Sequence, residues 1–139
     1  MGALADSIEI VRMFLDGERM VRFAYLFGSV AAGTSGPLSD LDIAVYLDGR
    51  VDAFAFRLKL MERLAGVLKS EAFDLVVLNR APVLLGYEVV KNGVVLKEER
   101  ARRVMFETAV LRQYLDTACL RNVQHQYLRE QIKGDTYFG

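Results

Sequence analysis

Two aspartates one residue apart, Asp40 and Asp42, follow a glycine and a serine, Gly28 and Ser29, with ten residues between the two pairs. The run over 40–47 alternates with the period of a β-strand, which places both carboxylates on one face. Two carboxylates held together repel each other, and a hard divalent cation relieves that repulsion. Magnesium is usually held by one or two carboxylates together with substrate phosphates. The pair therefore predicts a Mg²⁺ site that acts on a nucleoside triphosphate.

A third carboxylate, Asp74, is the one charged residue in the apolar run over 72–78. This run has the composition of a strand, and an acidic residue within it has no structural reason to be there. We expect Asp74 to join Asp40 and Asp42 in a site for two Mg²⁺ ions. Two ions would stabilise both the attacking and the leaving oxygens of a transfer at phosphorus.

Gly28 and Ser29 end the β-branched and aromatic run over 21–27, which favours a strand. Glycine supplies the backbone freedom that a turn requires, and Ser29 occupies the position expected for the N-cap of a short helix. The free N–H groups at a helix start attract phosphate. We therefore predict that Gly28 and Ser29 contact the phosphates of a nucleotide.

Each of these motifs alone is a weak signal, because aspartates and Gly-Ser pairs are common in turns. Their conjunction on three predicted strands resembles the signature of the polymerase-β-type nucleotidyltransferase superfamily. The similarity covers roughly residues 25–116 and is greatest to the minimal nucleotidyltransferase (MNT) branch. Further similar residues are those over 74–79 with Ala81 and Pro82, then Phe106, Glu107, Tyr114, Leu115 and Asp116.

The resemblance implies a nucleotidyltransferase fold and, by similarity to MNT antitoxins paired with HEPN toxins, transfer of AMP from ATP to a tyrosine of the toxin. It implies that Gly28 and Ser29 contact phosphate. It also implies that Mg²⁺ is held by three carboxylates, those of Asp40, Asp42 and Asp74. Many relatives carry arginine where this chain has Ala32, which leaves one contact to phosphate or acceptor unfilled.

Two other functions compete with this interpretation. One is a small-molecule nucleotidyltransferase of the aminoglycoside-modifying type, and the other is a non-catalytic module that neutralises a partner by occlusion. The short chain argues against the first, because little of it remains for a separate acceptor-binding domain. The intact carboxylates argue against the second, because a binding module has no use for a pair of mutually repelling charges.

The elements that must position these residues follow from apolar spacing. We predict strands over 21–27, 40–47, 72–78 and 94–96, and helices up to about residue 15, over 51–70, over 83–92 and over 98–132. In the second strand one apolar face contains Leu41, Ile43, Val45 and Leu47. In the helix over 51–70 the expected apolar stripe contains Phe54, Leu58, Met61, Leu64 or Ala65, and Leu68.

The last helical region is apolar on two faces, and such a helix needs two partners. One face contains Val104, Leu111, Leu115 and Ala118, and the other contains Phe106, Val110 and Tyr114. The sheet would cover one face. We assign the face through Phe106, Val110 and Tyr114 to a partner protein or a second subunit, unless a helix break near Thr117 accounts for the pattern.

The length and composition predict one domain over residues 1–139, with a C-terminal helical region over about 98–133. The predicted elements and the resemblance together imply an α/β (α+β) fold, a small mixed β-sheet flanked by helices. The chain has 139 residues, of which 53% are hydrophobic, and this is enough for a core. No apolar run reaches membrane-spanning length, and the first residues are acidic where a signal peptide is basic, so we expect a cytoplasmic protein. One cysteine, Cys119, and one histidine, His125, exclude an internal disulfide and make a zinc site implausible.

Charge is unevenly distributed although the net charge is zero. Residues 1–56 carry eight acidic and four basic side chains, and residues 97–133 carry eight basic and five acidic ones. The zero net charge makes nucleic acid an unexpected partner. The basic end is either a solvated helix face or part of a docking surface for a partner or a nucleotide.

Overall fold

The computed structural model describes residues 3–33, 40–118, 120–122 and 126. A single 3-10 turn, Leu78–Arg80, leads from the third strand to the fourth helix. The predicted strands and the first three long helices are present, with ends that differ by a few residues from those expected. The helix predicted over 98–132 is present as α5 up to Asp116, and most of the rest of that range lies outside the described residues. The elements are α1 (Ala3–Asp16), β1 (Val21–Phe27), α2 (Gly28–Ala32), β2 (Leu41–Leu47), α3 (Ala53–Leu68), β3 (Phe73–Val77), α4 (Val83–Asn92), β4 (Val94–Lys97) and α5 (Arg100–Asp116).

The strands form one mixed sheet in the order β3-β2-β1-β4. β1 is antiparallel to both β2 and β4, whereas β2 and β3 are parallel. A parallel pair requires a crossover connection, and α3 supplies it. The starts of β2 and β3 therefore lie at the same end of the sheet as the end of β1. The mixed α/β fold that the sequence predicted is confirmed.

Helices cover both faces of the sheet. One face packs on α1 and α3, and the predicted apolar face of β2 lies in this core as expected. The opposite face packs on α4 and α5 around Phe23, Tyr25, Ala44, Leu78 and Val89. Successive side chains of β2 point to opposite faces of the sheet. Because Leu41 and Ile43 lie on the α1 and α3 face, Asp42 lies on the face that packs on α4 and α5. The residues buried on the first face include Val11, Leu15, Leu41, Ile43, Val45, Leu47, Leu60 and Leu64.

The buried side of α3 differs from the predicted stripe. Leu60 and Leu64 are fully buried, whereas Phe54 is 71% exposed and Leu58 is 50% exposed. The helix is apolar on two adjacent sides, and the spacing of three and four residues fits both of them. Contact with the sheet selects the side that contains Leu60, so the prediction that Phe54 and Leu58 are buried is wrong.

The face of α5 that we assigned to a partner packs instead on the protein itself. The Phe106 ring lies 5.5 Å from the Phe23 ring, and the Tyr114 ring stacks on Tyr87 at 3.7 Å between centroids. Val110 is buried against Gly86 of α4. The assignment of this face to a partner is therefore wrong. The large apolar residues of α5 that remain exposed are Val104, Met105, Leu111 and Leu115.

α5 ends at Asp116, and Thr117 forms a turn before helical residues resume at Ala118. The Thr117 hydroxyl donates to the Gln113 carbonyl oxygen at 3.0 Å, a local bond that competes with helix continuation. The break lies after the two-faced stretch, so it does not explain that pattern. Cys119, His125, the loop over 34–39 and the tail over 127–139 lie outside the described residues.

Within the described ranges, no helix has both the length and the apolar character needed to cross a bilayer.

Candidate active site

The sheet brings the predicted carboxylates to one end. Asp42 and Asp74 are register partners on the parallel strands β2 and β3, so their side chains share a face on strands about 4.8 Å apart. Asp40 directly precedes β2 and is exposed. On the other side of β2, Asp42 is paired with Phe27, the last residue of β1. Three strands thus contribute to one edge of the fold.

The pKa of Asp42 is affected by the two neighbouring carboxylates. The pKa of the Asp42 carboxyl is raised, first by burial and then by the negative charges of Asp74 and Asp40. The same repulsion makes a cation favourable at this edge, because a positive charge would offset all three carboxylates.

The carboxylates are near one another without forming a closed chelate. Among the residues that the structure describes, no three acidic, histidine or cysteine side chains are gathered tightly enough to hold a metal ion. The oxygen-only donor set of Asp40, Asp42 and Asp74 fits Mg²⁺ chemically.

The backbone of Gly28 lies against the Asp42 side chain. It adopts φ +76°, and a Cβ at this position would lie 2.1 Å from Asp42 Oδ2. Both the left-handed conformation and the close approach require glycine. The turn from β1 into α2 therefore passes directly against the carboxylate, which places the first peptide groups of α2 beside it.

Ser29 is the second residue of α2 and not its N-cap. Phe27 occupies the cap position and its side chain makes no capping bond, so the prediction that Ser29 is the N-cap residue is wrong. The positive φ of Gly28 turns the chain so tightly that α2 begins one residue earlier than expected. α2 is held by Val30 and Ala31, which pack on the α1 and α3 core, while Ser29 and Ala32 are exposed.

Sequence analysis missed one cation at this edge. Arg57 of α3 donates from Nε to the Leu75 carbonyl oxygen at 2.8 Å, and its Nη2 lies 4.0 Å from Asp74 Oδ1. The side chain therefore extends from α3 around the outer edge of β3 to the site. Only the position of α3 beside β3 reveals this role, because Arg57 is one of several basic residues on a helix of mixed charge.

A second missed feature is a hydrogen-bonded cluster that joins α5 to β1. The Tyr25 hydroxyl donates to the Glu107 carboxylate, which also accepts a bond of 2.8 Å from Arg103. Burial and then the bond to Glu107 raise the pKa of Tyr25, so its hydroxyl stays a neutral donor. Tyr25 shares the face of Phe27, and the cluster thus fixes α5 over the face that carries Asp42.

A hollow of about 660 Å³ lies between α4 and α5 on this same face. Its lining includes Tyr46 and Phe106 but none of the three carboxylates. Tyr46 is four residues beyond Asp42 along β2, a distance of about 13 Å. The hollow is therefore at the opposite end of the sheet from the candidate site.

Comparisons with known proteins agree with this architecture. Residues 9–102 match the model of the family described as "Polymerase beta, Nucleotidyltransferase". Protein adenylyltransferase MntA of Shewanella oneidensis is 38% identical over 85 residues, which are 61% of this chain and 60% of that protein. The aligned region therefore spans about three fifths of the relative's length.

Two solved structures are similar over nearly the whole chain. A chain in the crystal structure of a toxin-antitoxin with AMP-PNP is 29% identical with a TM-score of 0.64, covering 96% of this chain and 98% of that one. A chain in the structure of tri-AMPylated Shewanella oneidensis HEPN toxin in complex with MNT antitoxin is 26% identical with a TM-score of 0.59. That match covers 98% of each chain.

Proposed function

The chain belongs to the polymerase-β nucleotidyltransferase family, and on that premise we propose that it is an antitoxin enzyme that transfers AMP from ATP to a tyrosine of a cognate HEPN-type toxin. The observation that carries this proposal is that Asp42 is the register partner of Asp74, lies against the Gly28 turn and is acted on by the charge of Asp40. The name of the MntA relative and the AMPylated toxin in a similar complex support the choice of reaction. The AMP-PNP complex of a similar protein supports ATP as the donor. We also propose that the activity takes place in the cytoplasm.

In this proposal Asp40, Asp42 and Asp74 hold Mg²⁺, with two ions as the expected number. When bound, the metal neutralises phosphate charge and lowers the pKa of an attacking hydroxyl. The residues of the protein position the phosphates of the nucleotide. Gly28 lets the start of α2 lie against Asp42, so phosphates that contact Gly28 and Ser29 also lie beside the carboxylates.

The acceptor side of the reaction is assigned to β3. The side chain of Asp74 is 60% exposed, whereas Asp42 is partly buried. A tyrosine hydroxyl that approaches over Asp74 gives its proton to solvent by way of the Asp74 carboxylate, and its oxygen forms a bond to the α-phosphorus of ATP. The bond between the α-phosphorus and the bridging oxygen breaks, and pyrophosphate leaves in line.

The test is incubation of the purified protein with its cognate HEPN toxin, ATP and Mg²⁺, followed by mass spectrometry of the toxin. We expect AMP on a toxin tyrosine, and no modification when Asp40 and Asp42 are both changed to asparagine. A toxin that is inhibited but unmodified would indicate neutralisation by occlusion. Rapid transfer of AMP to aminoglycosides with no toxin modification would indicate a small-molecule enzyme.

A further inference from the structure

Arg57 is a basic side chain that the structure fixes beside Asp74. Its guanidinium donates from Nε to the Leu75 carbonyl oxygen at 2.8 Å, and Nη2 lies 4.0 Å from Asp74 Oδ1. Nε and Nη2 lie on one edge of the planar guanidinium, so a single rigid group faces two consecutive residues of β3. The bond to the backbone therefore fixes the guanidinium at a place where it also faces the carboxylate.

Arg57 differs in this respect from the other basic residues. Among the residues that the structure describes, it alone has a nitrogen within 4.0 Å of one of the three candidate metal ligands. Arg63, further along α3, pairs instead with Glu18, at 2.9 Å between Nη2 and Oε1. The two arginines thus carry the same charge on the same helix, but only the first is directed at the candidate site.

Stability does not account for the approach of Arg57 to Asp74. The Asp74 side chain is 60% exposed, and a nitrogen-to-oxygen distance of 4.0 Å is too long for a hydrogen bond. Exposed pairs of this kind contribute little to the free energy of unfolding. Protection of the edge strand against other chains requires only the bond to the Leu75 backbone. The approach of Nη2 to a candidate metal ligand is a separate feature.

We propose that Arg57 is a positioning residue for Asp74, an inference that rests on the proposed function. A carboxylate as exposed as that of Asp74 can occupy several rotamers, and ordering it when a metal binds costs conformational entropy. The guanidinium, held on the Leu75 carbonyl, favours the arrangement in which Oδ1 faces Nη2. The second oxygen, Oδ2, is then left to take the metal. Arg57 acts through Asp74 and not on the substrates.

A purely electrostatic effect of Arg57 would have the opposite sign. A positive charge beside a cation site repels the metal, so removal of that charge alone would strengthen metal binding. Loss of a group that orients a metal ligand weakens binding or activity, typically by about 10–100-fold. The direction of the change in metal affinity therefore separates the two roles.

The experiment compares Arg57→Gln and Arg57→Lys with the control Arg63→Gln, after circular dichroism has confirmed that each variant is folded. Binding of Mn²⁺, a divalent ion that also takes oxygen ligands, is followed from the electron paramagnetic resonance of the free ion, without nucleotide or toxin. We expect Arg57→Gln to weaken Mn²⁺ binding by on the order of tenfold and the control to bind like the wild type. Arg57→Lys should recover only part of the affinity, because one ammonium group cannot reproduce the guanidinium fork.

Kinetics of toxin modification provide a second measurement. Asp74 is assigned to the acceptor side, whereas the nucleotide lies against the Gly28 turn, so Arg57→Gln should lower kcat by on the order of tenfold and leave KM for ATP unchanged. A side chain that only covers the strand edge would change neither constant.

Unchanged or tighter Mn²⁺ binding in Arg57→Gln would overturn the proposal. Wild-type affinity in Arg57→Lys, or an equal loss of affinity in Arg63→Gln, would also overturn it. If the wild-type protein leaves the toxin unmodified, the proposed function fails, whereas Mn²⁺ binding by the same variants still decides the role of Arg57.

Discussion

At the scale of single residues, the contact between Gly28 and Asp42 defines the candidate site. The carboxylate lies where a Cβ of residue 28 would be, so the two residues constrain each other. Asp42 is also repelled by like charges. Its pKa is raised first by burial and then by the negative charges of Asp74 and Asp40. Removal of the Asp42 charge should therefore preserve or raise stability, whereas a Cβ at residue 28 should lower it.

Asp42→Asn should abolish AMP transfer and leave the fold intact. The substitution removes one expected Mg²⁺ ligand but also relieves repulsion from Asp74 and Asp40, so thermal stability without metal should hold or rise slightly. Labelled-nucleotide incorporation and metal-free melting curves measure the two effects. Asp6→Asn, at an exposed position of α1, is the control and should change neither. Full activity in Asp42→Asn would reject the site.

Gly28→Ala and Gly33→Ala separate backbone strain from crowding at the site. Both glycines have nearly the same positive φ, +76° and +75°, but a Cβ at Gly33 would have no atom of the described residues within 4 Å. Gly33→Ala should destabilise the protein by about 1 kcal/mol through strain alone. Gly28→Ala should cost about 1–3 kcal/mol in strain and crowding, and should displace Asp42.

Chemical denaturation gives the free energies of unfolding for these two variants, and calorimetry gives their affinity for ATP with Mg²⁺. Only Gly28→Ala should weaken nucleotide binding. Equal binding by both variants would mean that the approach of Gly28 to Asp42 has no role in the site.

At the scale of elements, the position of α5 depends on polar as well as apolar contacts. Phe106 and Val110 bury its apolar side, and the cluster of Tyr25, Glu107 and Arg103 fixes it to β1. The apolar contacts are non-directional, whereas the hydroxyl-to-carboxylate bond has a defined geometry. The cluster therefore determines how α5 lies over the face that carries Asp42.

Tyr25→Phe should destabilise the protein by about 1–3 kcal/mol, the range for losing a hydrogen bond to a charged group. It should also change the response to alkaline pH. The folded-state pKa of Tyr25 is raised above its ordinary value of 10.0, so its contribution to stability is full below pH 10 and decreases as pH rises above it.

Equilibrium unfolding between pH 8 and pH 11, roughly spanning the ordinary tyrosine pKa, measures this dependence. The wild type should lose stability above about pH 10, and Tyr25→Phe should show a weaker decrease. Parallel curves for the two proteins would show that the Tyr25 hydroxyl does not titrate as its burial indicates.

At the scale of the whole molecule, nucleotide and metal should act on stability together. A ligand that binds only the folded state stabilises it by about 2.7 kcal/mol when its concentration is 100 times the Kd. We expect ATP to raise the melting temperature in the presence of Mg²⁺ and to have little effect with EDTA. Melting curves with each ligand alone and with both measure this, and Asp42→Asn should abolish the joint effect.

Equal stabilisation by ATP with and without Mg²⁺ would indicate that the carboxylates are structural. If Mg²⁺ alone raised the melting temperature as much as Mg²⁺ and ATP together, metal binding would be independent of nucleotide binding. Either outcome contradicts a shared site formed by the Gly28 turn and the carboxylates.

The sequence by itself determined the features that depend on near neighbours. Period-two alternation placed Leu41 and Asp42 on opposite faces of a strand, because successive side chains of a strand always alternate. Glycine at position 28 marked the turn after β1. The succession of strands and helices along the chain and the mixed α/β fold followed from these local rules and from resemblance to a family.

Only the tertiary structure decided which apolar surfaces are buried and which distant side chains meet. The sequence placed Phe54 in the core and Phe106 at a partner, and both are reversed, because each helix has two apolar sides of similar spacing. The choice between them depends on a sheet assembled from residues far away in the chain. The same holds for Arg57 beside Asp74 and for Tyr25 with Glu107, which no spacing along the sequence relates.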